Sequence, residues 1–110
     1  MKSESILHEL ENEFLEIKQQ IIQKINPEKI ILFGSLAKKQ VFLTSDIDLI
    51  IIKKTSKSFK ERMNELYTLI DYKHPTDMLF YTPEEISRLK ENNSFVKKSL
   101  SEGITVYEKS

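Results

Sequence analysis

Two short apolar runs, Ile30-Ile31-Leu32-Phe33 and Leu49-Ile50-Ile51-Ile52, bracket the segment that most restricts how this chain can fold. The first run ends at Gly34-Ser35. The second is opened by Asp46-Ile47-Asp48, and ten residues separate Ser35 from Asp46. Runs this short and this rich in isoleucine read as buried strands. Residues i and i+2 of a strand share a face, so Asp46 and Asp48 should project together with Ile50 and Ile52. Ile47, Leu49 and Ile51 then take the other face. A strand apolar on both sides belongs in the middle of a sheet. Two carboxylates held side by side on it repel each other and are costly to desolvate. A hard divalent cation such as Mg²⁺, which takes oxygen ligands, would offset that cost.

Alone, Asp-x-Asp is commonly a solvated strand edge, and Gly-Ser alone is a turn. Their conjunction is more specific. Gly34 and Ser35 stand where a strand should give way to a helix. A third carboxylate, Asp77, lies in another strand-like stretch, Thr76-Asp77-Met78-Leu79-Phe80-Tyr81, on the face it shares with Leu79 and Tyr81.

The remaining pattern predicts helices. Ile6, Leu10, Phe14, Ile17, Ile21 and Ile25 recur at spacings of three and four, an amphipathic helix over 5–25 that Asn26-Pro27 ends. A brief helix is expected from Ser35 to about Gln40. After the polar loop 53–58, Phe59, Met63, Leu66 or Tyr67, and Ile70 mark another amphipathic helix, with its Met and aromatic residues in the core. Thr82-Pro83-Glu84-Glu85 is a strong helix start: Thr82 caps, Pro83 occupies the first turn and Glu85 completes a capping box. That helix should run to about Asn92. A second, from Ser94, should stop at Gly103, before a peripheral strand from Ile104 to Tyr107. The expected fold class is α+β, a small mixed sheet with helices packed against it, formed by residues 1–110 as a single domain.

Composition narrows the function. Seventeen basic residues balance seventeen acidic ones, so net charge draws the chain neither to nucleic acid nor to an anionic membrane. Of the basic residues only Arg62 and Arg88 are arginine, which argues against sequence-specific reading of DNA. Cysteine is absent, which removes disulfides, thiolate nucleophiles and zinc-thiolate sites. The amino terminus leads into a charged amphipathic segment rather than a signal peptide, and no apolar run approaches the roughly 18 residues of a membrane span. A cytoplasmic location is expected. Self-assembly could use the outer side of the first helix or the carboxy-terminal segment; no residue pattern selects one.

Gly-Ser, ten residues, Asp-x-Asp, then a later strand with one more Asp resembles the nucleotidyltransferase superfamily that includes DNA polymerase beta. Within it the chain is most similar to the minimal nucleotidyltransferases (MNT domains) that accompany HEPN-domain proteins in prokaryotes. The likeness is clearest over Lys29–Ile52, Asp77–Glu85 and Glu102–Tyr107. It implies the nucleotidyltransferase fold, with Asp46, Asp48 and Asp77 as catalytic residues and ligands of two Mg²⁺ ions, and ATP as substrate. Asp77 would bind one metal and orient or deprotonate the acceptor hydroxyl. Gly34 would let backbone approach the triphosphate, Ser35 would donate to it, and Lys38 would supply positive charge. The implied reaction moves NMP, AMP from ATP, onto a hydroxyl. The implied acceptor is a tyrosine of a HEPN toxin, which would make the chain the antitoxin of the pair.

One departure stands out. The family often carries Arg then Gly where this chain has Lys38 and Lys39, and Val41-Phe42-Leu43 is more apolar than usual there. Lys38 brings a point charge rather than a fork. Two other functions fit the same residues: nucleotidyl transfer to a small molecule, as in aminoglycoside nucleotidyltransferases, and a non-catalytic module that blocks a partner by binding. His8 and His74 read as a helix residue and a loop residue. Lys53, Lys54, Lys57 and Lys60 read as a solvated basic loop.

Overall fold

The structure, a computed structural model, describes residues 2–110. Among the described residues nine elements follow one another: α1 (Lys2–Ile25), β1 (Lys29–Phe33), α2 (Gly34–Ala37), β2 (Ile47–Ile52), α3 (Phe59–Leu69), β3 (Thr76–Tyr81), α4 (Pro83–Asn92), α5 (Ser94–Glu102) and β4 (Ile104–Glu108). The four strands form one sheet in the order β3-β2-β1-β4. β1 is antiparallel to both β2 and β4, while β3 runs parallel to β2. The sheet is therefore mixed, the doubly apolar β2 is internal and β4 is an edge, as expected.

Alternation along the strands divides the interior in two. Ile30, Leu32, Ile47, Leu49, Ile51, Met78 and Phe80 point to one side. They pack there against Leu10, Phe14, Ile17, Ile21 and Ile25 of α1 and Leu66 of α3. Full burial of each such side chain contributes roughly 1.5–3 kcal/mol before the entropy of ordering is charged. Ile31, Phe33, Ile50 and Ile52 point the other way, under Ile86 of α4 and Leu100 of α5. That second cluster is smaller, and its end is left open.

Local chemistry sets the element ends. Asn26 takes a left-handed conformation (φ 56°) after the last turn of α1, and Lys53 Nζ donates to the Ile25 carbonyl at 2.6 Å. Thr82 and Glu85 form the expected capping box, and Ser58 with Glu61 forms a second at the start of α3. Arg62 is buried and ties α3 to α4: its two terminal nitrogens donate to the Glu85 carboxylate at 2.8 and 2.9 Å, and one also donates to the Phe80 carbonyl.

Two expectations change in detail. The helix after Gly34 is a single turn ending at Ala37 rather than near Gln40, because Lys39 swings to φ 58°. Helix α5 does stop before Gly103, but Gly103 has φ −80°, so a left-handed cap is not the reason. Crowding is: a Cβ there would lie 2.6 Å from the Ser99 carbonyl and 2.8 Å from Ile31. Among the described residues no helix is long and apolar enough to cross a membrane.

Candidate functional site

The open end of the smaller cluster carries the acidic residues. Parallel pairing of β2 and β3 sets Asp48 directly across from Asp77. Asp46 lies just before β2, whose ladder begins when the Ile47 amide donates to the Pro75 carbonyl at 3.0 Å. A carboxylate oxygen from each of Asp46, Asp48 and Asp77 falls within 4.8 Å of the other two. The structure thus brings together all three acids singled out from the sequence, including one from a separate strand.

The electrostatics are unbalanced. Among the described residues no lysine or arginine forms an ion pair with any of the three. Burial, then the charges of Asp77 and Asp46, push the Asp48 carboxyl up to about 6. A side-chain hydrogen bond with Asp77 adds to the rise, since it favours the protonated form. A compact, uncompensated set of three oxygen donors fits a hard divalent cation, whose charge would remove the repulsion that now favours a proton.

Gly34 abuts the acids. It has φ +75°, and a Cβ built on it would lie 2.2 Å from Asp48 Oδ2. Glycine is required there twice over, for backbone conformation and for room. Ser35 follows in the single turn of α2. Lys38 lies beyond it, and its Nζ pairs with Glu102 Oε1 at 2.7 Å. That hydrogen bond holds the Glu102 carboxyl below the usual carboxylate range. Lys38 therefore reaches the site already engaged, and an anion there would compete with Glu102 for it. Lys39, where the family often has glycine, holds the left-handed backbone that glycine would adopt without strain.

Two adjoining hollows flank this ridge. One, of about 430 Å³, is lined by Gly34, Ser35 and Lys38 together with Lys98 and Glu102. The other, of about 480 Å³, is lined by Asp48, Asp77, Tyr67 and Met63. Phe33 and Phe95 line both, with ring centroids 5.9 Å apart and planes at 84°. The arrangement is one cleft with an aromatic divider, a Gly-Ser-Lys side and an acidic side, and Asp48 touching both through Gly34.

Sequence reasoning missed three residues of this cleft. Phe95 is 54% exposed and lies off the buried stripe of α5, which runs through Val96 and Ser99. An aromatic beside such a stripe was the available signal. Tyr67 was one of two candidates for the core position on α3; Leu66 takes it, and Tyr67 faces the cleft. Burial pushes the Tyr67 phenol above its ordinary value. Glu102 gave no signal, because its pairing with Lys38 depends on how α5 docks. His8 is exposed on α1, and His74 lies 3.6 Å from Glu9 of that same helix; neither lines the cleft. In the basic loop, Lys53 caps α1 and Lys57 pairs with Glu65 at 2.5 Å.

A mixed sheet with helices on both faces and three carboxylates beside a Gly-Ser turn defines a protein of the nucleotidyltransferase class. The chain belongs to the family described as Polymerase beta, Nucleotidyltransferase, whose sequence model matches residues 15–110. Six solved chains match it in structure. One is a candidate nucleotidyltransferase from Sulfolobus solfataricus, with a TM-score of 0.61 and 20% identity over 98% of this chain and 86% of that chain. At that identity the likeness speaks for the fold. No curated protein sequence matches the chain.

Proposed function

We propose that this chain is a Mg²⁺-dependent nucleotidyltransferase that moves AMP from ATP onto a hydroxyl. Its acceptor is a tyrosine of a HEPN-domain toxin, and the chain acts as that toxin's antitoxin. One observation carries the catalytic reading: Asp46, Asp48 and Asp77 converge within 4.8 Å and, among the described residues, no lysine or arginine pairs with them. The acceptor rests on the resemblance to minimal nucleotidyltransferases. A partner protein would bring the hydroxyl to the open cleft.

Asp46, Asp48 and Asp77 would hold the metal, which when bound supplies charge neutralisation at the attacking and leaving oxygens. Gly34 admits the triphosphate to the backbone of the turn, where Ser35 donates from its amide and hydroxyl. Lys38 exchanges Glu102 for a phosphate oxygen, a small cost for so exposed a pair. Asp77, the most exposed of the three acids, accepts the proton of the incoming hydroxyl. The hydroxyl oxygen bonds to the α-phosphorus, the bond to the bridging oxygen breaks, and pyrophosphate leaves through the Gly34 side of the cleft.

The test is transfer of label from α-labelled ATP, with Mg²⁺, to the protein encoded next to this one. Wild type should label it, and Asp48→Asn should lower the rate by about 10³-fold. Equal labelling by wild type and Asp48→Asn would sink the enzymatic reading. Inhibition of the neighbour without labelling would mark a binding module, and labelling only of small hydroxylated compounds would mark a small-molecule enzyme.

A further inference from the structure

Strand β3 is an outer strand of the sheet, so its backbone groups that face away from β2 have no neighbouring strand. In a parallel ladder those outward groups come from alternate residues. Around the acidic cleft they are not left to solvent. The Tyr67 hydroxyl of α3 accepts from the Met78 amide at 2.8 Å and donates to the Thr76 carbonyl at 3.2 Å. One phenol oxygen thus supplies both halves of a missing ladder rung. The two groups it joins belong to the residues on either side of Asp77.

Apart from the side-chain hydrogen bond it shares with Asp48, Asp77 has little else to hold it. It is exposed, it lies on the open end of the sheet, and among the described residues it forms no ion pair. Its place opposite Asp48 depends on the β3 backbone, gripped by β2 on the inner side and by Tyr67 on the outer. The ring of Tyr67 is itself braced by Tyr72, edge-on at 6.1 Å between centroids, and α3 is anchored to β3 through Arg62 and the Phe80 carbonyl.

We propose that Tyr67 is a positioning residue: its hydroxyl locks the Thr76–Met78 backbone so that Asp77 stays in register with Asp48 and the three carboxylates keep metal-binding spacing. This rests on the reading of the acid cluster as a metal site. Tyr67 touches no reacting atom in this role and acts only through β3.

Tyr67→Phe keeps the ring and removes the clamp. The probe is Mn²⁺, titrated by electron paramagnetic resonance well below the melting temperature, with hydrogen exchange of the Met78 amide followed by NMR. Tyr67→Phe should speed exchange at Met78 and weaken Mn²⁺ binding by about tenfold, the size of effect seen when a group supporting a metal ligand is lost. Ile21→Val, which loosens the core on the opposite face of the sheet, should leave Mn²⁺ binding as in wild type. Unchanged Mn²⁺ affinity in Tyr67→Phe overturns the inference, as does a loss no larger than that of Ile21→Val. Asp48→Asn separates the two levels. If wild type and Asp48→Asn bind Mn²⁺ equally poorly, the metal-site reading falls and takes the positioning role with it.

Discussion

The two faces of the sheet are built from the same strands and serve opposite ends. On the α1 and α3 side, the inward positions of β2 and β3 are closed over, and all but Thr76 are apolar. On the α4 and α5 side, Ile50 and Ile52 continue into Asp48, and Leu79 and Tyr81 continue into Asp77. One face is filled almost wholly with apolar side chains, with Glu13, Arg62 and Thr76 the polar groups buried beside them. The other is filled only as far as its helices reach, and its last row is given to carboxylates. Because side chains alternate, a slip of one residue in β2 would put Asp48 into the closed core and Leu49 into the cleft. The closed face fixes the register that the open face uses.

That contrast can be broken experimentally. Leu49→Ala hollows the closed face one residue from Asp48, and should cost 2–5 kcal/mol in urea unfolding, the general range for such cavities, about the largest effect expected here. The folded fraction should keep its Mn²⁺ affinity; a parallel loss of affinity would mean that the faces are not separable. Gly34→Ala acts on the open face alone. It forces a side chain against the Asp48 carboxylate in a left-handed backbone, and should cost about 2 kcal/mol of stability while abolishing metal binding. Retained binding would mean that the turn gives way and that the close approach is not required.

Asp48→Asn should move stability the other way. The folded protein holds the Asp48 proton up to about pH 6, against 3.8 for the ordinary carboxyl, so folded molecules bind more protons in between. Metal-free stability should therefore decline as pH rises through that window and stay lowered above it. Asp48→Asn should recover on the order of 1–2 kcal/mol at pH 7, after allowance for solvent screening, and flatten that slope. Thermal melts of both proteins between pH 4 and 8, without metal, check the sign; a wild type that gains stability toward pH 7 through this group would contradict it. The smallest effect belongs to Lys39→Gly. Relief of its left-handed strain should stabilise the fold by about 1 kcal/mol, with little lost from the 3.9 Å surface pair to Glu11. No gain would show that the loop does not confine Lys39.

Much of this was legible in the residues. The period of three and four placed Leu10 to Ile25 on one side of α1, and Thr82 with Glu85 marked a helix start to the residue. Local geometry decides such features, so local pattern reveals them. The matching box at Ser58 and Glu61 follows the same rule and was open to the same reading. Gly34 stood out as a turn, but its closeness to Asp48 did not, since it depends on β1 lying beside β2. Gly103 shows the limit well: its position was foreseeable, yet its reason lies in a contact with Ile31 from a distant strand.

What the chain's order of residues determined by itself is the alternation of helix and strand, the apolar identity of β2 on both faces, and the pairing of Asp46 with Asp48. These follow from backbone periodicity and neighbour chemistry, which operate over a few residues. Tertiary structure alone decided that Asp77 sits opposite Asp48, that Phe33 and Phe95 divide the cleft, that Glu102 engages Lys38, and that Tyr67 braces the outer strand. Each joins segments far apart in sequence. Their meeting is set by how the helices pack over a twisted sheet, and no periodicity along the chain encodes that.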